Sequence, residues 1–127
     1  MRIDYNVSQD GLRIVAFPKG VLDIKATMDY FGKIKNDKKI RHGAIEIVSF
    51  KDVSDFQFSY LESEKITRSY QEPKALKKIE ATLFVCETDL AFGIGRMLRA
   101  VHEIANPNHK VLLVRSESEL EDVIKQV

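Results

Sequence analysis

The sequence predicts an α/β domain on a mixed, mostly parallel five-stranded sheet, with elements in the order β-β-α-β-α-β-α-β-α and a hairpin at the N-terminus. Three observations carry that expectation. Residues 81–86, Ala-Thr-Leu-Phe-Val-Cys, form a nearly unbroken apolar run, short enough for a strand buried on both faces, as parallel strands are. Directly after it, Leu90, Ile94, Met97, Leu98, Val101, Ile104 and Ala105 recur at three- and four-residue spacing, which lays one apolar stripe of a helix against a sheet and turns Arg96, Arg99 and Glu103 away from it. Near the N-terminus, Asp10-Gly11 separates two alternating runs, and glycine supplies the positive φ of a tight hairpin turn.

The first strand carries Ile3, Tyr5 and Val7, and the second Leu12, Ile14 and Ala16; Pro18-Lys19-Gly20 ends the second. Asp23 is placed to cap a helix that runs to about Asp37, with Ile24, Met28, Phe31 and Ile34 inward. Lys33, Lys35, Lys38, Lys39 and Arg41 make its exit basic, which suits the negative end of a helix dipole. Residues 43–50 read as the third strand and residues 51–58 as a polar and aromatic loop. Ser59 with Glu62 forms a capping-box pattern that opens a second helix, whose main apolar residues are Leu61, Ile66 and Tyr70. Pro73 breaks that helix near Gln71, and a basic turn over residues 74–78 leads into the apolar strand. Thr88 or Asp89 caps the third helix, Asn106-Pro107-Asn108 stops it, and residues 110–115 form the last strand. Ser116 with Glu119, or Ser118 with Glu121, caps a final helix whose Leu120, Val123, Ile124 and Val127 pack inward.

A chain of 127 residues is one ordinary domain, and no boundary interrupts it. With 20 basic and 19 acidic side chains the net charge is +1, so no global field draws it to nucleic acid or an anionic membrane. A single cysteine excludes an internal disulfide and a cysteine-based zinc site, which fits a reducing compartment. No apolar run reaches bilayer-spanning length and the N-terminus lacks a signal-peptide core, so a soluble, cytoplasmic protein is expected.

The element order, together with residues 88–97 (Thr-Asp-Leu-Ala-Phe-Gly-Ile-Gly-Arg-Met), resembles the SpoIIAA-like group of small bacterial proteins, relatives of the STAS domains and of CRAL-TRIO lipid-transfer modules. The likeness spans nearly the whole chain as an order of elements; at residue level it rests on residues 89–97 and on the closing strand and helix, 114–124. It implies a β-α superhelix with helices on one side of the sheet, and a role in binding or regulation rather than catalysis. A signalling STAS domain would carry Asp-Ser-x-Gly where the third strand meets the second helix, with the serine phosphorylated by a partner kinase. That pattern is absent here; Ser59, between bulky Phe58 and Tyr60, is the nearest hydroxyl, where phosphate would be favoured by the helix dipole.

Candidate binding residues follow from the same two junctions. Phe92 falls with Arg96 on the polar side of its helix, and with Phe56, Phe58 and Tyr60 it is positioned at the carboxyl ends of strands, where open α/β sheets bind ligands. Gly93, Gly95 and Arg96 in the first turns of that helix offer free N–H groups and a cation for an anion; the competing reading is that the glycines let the helix approach a neighbour closely. His42, His102 and His109 are too scattered for a metal set, and Cys86 reads as core. The expectation is therefore a non-catalytic domain, without cofactor, that engages a protein partner or a small apolar or amphiphilic ligand at the strand-end rim, with Ser59 as an alternative phospho-switch. An enzyme acting on an anionic metabolite at residues 93–96 is a third reading, and homodimerisation is compatible with all of them.

Overall fold

The computed structural model describes residues 3–69, 79–105 and 109–127. The expected roles of Tyr70, Pro73, the basic turn at 74–78 and the stop at 106–108 lie outside the described residues.

Alternation gives β1 (Asp4–Val7) and β2 (Arg13–Phe17), which pair antiparallel with Asp4 opposite Phe17 and Val7 opposite Ile14. Gly11 holds the turn at φ 75°, and a Cβ there would strike the Lys39 carbonyl oxygen, so the turn needs glycine for both conformation and space. The chain passes Pro18 into β3 (Lys19–Asp23) and then α1 (Ile24–Asn36), capped by the Asp23 carboxylate, which accepts the Ala26 N–H at 2.8 Å. It continues through β4 (Ala44–Ser49), β5 (Asp52–Gln57), α2 (Tyr60–Ser69), β6 (Ile79–Val85), α3 (Asp89–Ala105), β7 (Lys110–Val114), a 3-10 turn (Glu117–Glu119) and α4 (Leu120–Ile124). The main sheet is five-stranded in the order β1-β2-β4-β6-β7, with β2, β4, β6 and β7 parallel to one another and β1 antiparallel at the edge. The fold class is the predicted one.

Three expectations need correction. Residues 51–58, expected as a loop, contain β5, which pairs in parallel with β3 from Lys19–Asp52 to Asp23–Gln57 and forms a separate two-stranded sheet. Asp52, Ser54, Asp55 and Gln57 of β5 are exposed and only Val53 and Phe56 turn inward, so its apolar signal is thin. The helices do not all lie on one side. Ile14, Ala16, Ala44, Val48 and Phe84 face the core beneath α1, α2 and α3, whereas Ile47, Ala81, Leu83, Val85 and Val114 form a second core packed by Leu120, Val123, Ile124 and Val127 of α4 and its tail. The exposed Arg13–Glu121 pair, 2.8 Å apart, flanks that second core.

The third correction concerns which helix faces are buried. On α3, Leu90 and Ile104 are exposed, while Ala91, Gly95, Leu98 and His102 are buried. Small residues win the inner positions because α3 lies close to the sheet: a Cβ on Gly95 would stand 3.0 Å from Cys86 Sγ and 3.0 Å from Leu113 Cδ2. On α2, Leu61 is exposed and Ser63, Ile66 and Ser69 are buried instead.

Candidate functional site

Strand alternation in β4 sends Ile45 and Ile47 to the α4 side and leaves Glu46 on the side of α1, α2 and α3, with an exposure of 0 %. A carboxyl group taken wholly out of water is costly unless hydrogen bonds replace its hydration. Here Glu46 accepts the Tyr30 hydroxyl at 2.6 Å on one oxygen and the Thr82 hydroxyl at 2.9 Å on the other. Thr82 comes from β6, next in the sheet, where the parallel register sets it opposite Glu46. Its Oγ1 also lies 2.8 Å from His109 Nε2, and the His109 ring lies tilted against His102, centroids 5.2 Å apart. Two histidines that look scattered along the sequence thus meet, because α3 descends along the sheet and β7 begins where it ends.

Burial pulls the His102 imidazole down to about 3, with nearby His109 adding to the effect. His109 is drawn down to about 4, again by burial, against which a hydrogen bond with the Ile79 backbone acts. Both rings are neutral at physiological pH.

Glu46, Tyr30, Thr27 and His102 are among the residues lining a cavity of about 50 Å³ between the sheet and the three helices. Its remaining wall is mostly apolar and includes Phe31, Phe50, Phe58, Phe84 and Leu98. At about 10–15 Å³ per water, the space suits a few water-sized groups, and a larger guest would displace a side chain. Cys86, buried beside Gly95, has its thiol pushed up to about 11 by burial, against a weaker pull from Arg115; it is a poor nucleophile.

The predicted site residues divide among different surroundings. Phe58 lines the cavity, and Phe56 packs edge-on against it at 6.2 Å between centroids. Phe56 in turn meets Phe50 at 5.2 Å, and Phe50 stacks on Phe84 at 5.2 Å, so an aromatic row runs from the sheet out to the β5–α2 connection. Tyr60 is exposed and borders a groove between α2 and α3 instead. Phe92 is half-buried, with the Arg115 guanidinium 4.7 Å above its ring and tied to Asp89 at 2.8 Å. Gly95 is packed against Cys86 and Leu113, while Gly93 and Arg96 are exposed. Ser59 is exposed and forms a reciprocal capping box: its N–H donates to Glu62 Oε1 at 2.8 Å and its Oγ accepts the Glu62 N–H at 3.2 Å.

Sequence reasoning missed Glu46, Tyr30, Thr82 and the meeting of His102 with His109. The one available signal was an acidic residue inside the otherwise apolar run Ala44-Ile45-Glu46-Ile47-Val48. Among the described residues, no group of three or more His, Cys, Asp or Glu side chains is placed to hold a metal ion, and no helix is long and apolar enough to cross a membrane.

No protein-family model matches the chain. A search of curated proteins likewise finds no match. Solved structures do match. An uncharacterised protein of the DUF3478 family with a SpoIIAA-like fold, from Shewanella loihica PV-4, superposes with a TM-score of 0.61 at 11% identity, over 96% of this chain and 93% of that one. The anti-sigma factor antagonist SpoIIAA in its unphosphorylated form superposes with a TM-score of 0.54 at 11% identity, over 98% of this chain and 99% of that one. The chain has the SpoIIAA-like fold, over nearly its full length.

Proposed function

We propose that this is a non-catalytic binding domain that takes a small apolar or amphiphilic ligand into the cavity under α1, α2 and α3. The observation that carries the reading is the cavity itself, about 50 Å³ of space lined mostly by apolar side chains together with Glu46, Tyr30, Thr27 and His102. Phe58, half-buried on the short connection into α2, is the side chain whose displacement enlarges it. Phe56 holds that ring from behind, so the aromatic pair expected at the strand-end rim acts as the door of an interior site. In this reading Gly95 seats α3 on the sheet and Phe92 packs at its start, while Gly93 and Arg96 are exposed and take no part.

Native mass spectrometry of the purified protein, followed by an amide-shift titration with decanol and with decanoate, tests the proposal. A retained small-molecule mass, or saturable shifts centred on Phe58 and Leu98 with either probe, is expected. A bare polypeptide mass together with no saturable shift would refute it.

A second reading is a phospho-regulated partner switch at Ser59, supported by the exposure of that hydroxyl at the start of α2 and by the structural likeness to SpoIIAA. A phosphate there would sit beside the Glu62 carboxylate that now accepts the Ser59 N–H, so modification would break the capping box and loosen the first turn. Labelling by a co-expressed kinase, abolished by Ser59→Ala, is the expected outcome; labelling that survives the substitution would count against it.

A further inference from the structure

Among the described residues, most of the exposed large apolar side chains lie on α2 and α3, and two of them border one groove. Ile104 is 82% exposed and Tyr60 56% exposed, and with Val101 they border a depression of about 240 Å³ whose α2 wall is completed by Glu64 and Arg68. Grouped around one groove, these side chains make a contiguous apolar patch rather than a single exposed residue. The two charges on the wall matter as much. Tyr60, Glu64 and Arg68 follow one another at four-residue spacing, so they share one face of α2. Among the described residues neither Glu64 nor Arg68 is held in an ion pair.

A patch that carries one acid and one base side by side, with apolar flanks, is complementary to itself under a two-fold rotation. Running α2 antiparallel to its copy brings each Glu64 to the other's Arg68, while Ile104 and Tyr60 of each protomer cover the groove of the other. We propose that the α2–α3 groove is an isologous dimer interface, with a second copy of this chain as its occupant and reciprocal Glu64–Arg68 pairs setting its register. The contact joins the outer walls of α2 and α3 and leaves the cavity beneath them intact, so it is independent of the ligand reading.

Sedimentation velocity of the full chain over a concentration series tests it, with circular dichroism to confirm that the variants fold, as surface substitutions should allow. The expected result is a concentration-dependent dimer whose dissociation constant rises by about tenfold or more in Ile104→Glu. Glu64→Arg and Arg68→Glu each set like charges across the axis and weaken the dimer, and the double variant Glu64→Arg/Arg68→Glu restores it. Three outcomes would overturn the proposal: a monomer throughout the series, a dimer unaffected by Ile104→Glu, or a dimer weakened by the single charge reversals and not recovered in the double variant. A monomer that captures a different protein through the same residues would assign the groove to a heterologous partner and also refute the second-copy assignment.

Discussion

The two faces of the main sheet are built from the same strands and differ in almost every other respect. Toward α4, Ile47, Ala81, Leu83, Val85 and Val114 make a uniformly apolar layer, closed by one short helix and its tail. Toward α1, α2 and α3, the same strands present Glu46 and Thr82, two histidines pack against them, and a cavity is left in the layer. Neither polar groups nor empty space help a core stabilise a fold. Their confinement to the face with the heavier cover divides the work unevenly: the thin side supplies apolar burial alone, and the thick side gives some of it up to a polar cluster and a cavity.

Substitutions on each face sharpen that contrast. The largest effect is expected from Leu83→Ala, which empties a fully buried position in the apolar layer and should lower unfolding free energy by about 2–5 kcal/mol, read by urea denaturation. Ligand retention should be untouched. Equal damage to both properties would mean that the faces are not separable.

Acid should find the other face first. His102 and His109 are held near about 3 and about 4 in the fold, below the ordinary 6.5, so unfolding lets them take up protons. Their neutrality contributes fully above 6.5, and stability drains away as pH falls from there toward about 4 and then about 3. The expected loss is on the order of a few kcal/mol, and His102→Phe should flatten the stability–pH profile across that window. A profile of unchanged slope in His102→Phe would contradict the assignment.

Tyr30→Phe removes a hydroxyl that donates to Glu46 and should cost about 1–3 kcal/mol, with an altered response to the decanol probe because the polar lining is disturbed. The smallest change is expected where the thin cover is pinned at the surface. Arg13→Ala breaks the exposed pair with Glu121 and should lower stability only slightly, an effect that salt diminishes in the wild type. A loss of several kcal/mol would show that α4 is held by charge rather than by Leu120, Val123 and Ile124.

Regular periodicity made the main sheet legible. The Asp10-Gly11 turn, the alternation of β1 and β2, the apolar run of β6 and the capping residues Asp23, Ser59 and Thr88 all appear where local chemistry puts them. β5 escaped because a ribbon wet on one side carries few apolar residues, here Val53 and Phe56. The buried face of α3 was misjudged for the opposite reason: close approach selects Ala91 and Gly95, which give no hydrophobic signal, while Leu90 and Ile104 signal strongly and face water. The polar cluster beside the cavity is a tertiary product. Tyr30, Glu46 and Thr82 come from α1, β4 and β6 and His109 from the turn before β7, and only parallel register and helix packing bring them together.

The seam between β3 and β5 has a mechanical consequence. It fastens the chain to itself just before α1 begins and again just before α2 begins, so the excursion through α1 and β4 is a closed ring. Lifting α1 requires that seam to unzip, so backbone amides of α1 should exchange with solvent later than those of an element held by side-chain packing alone.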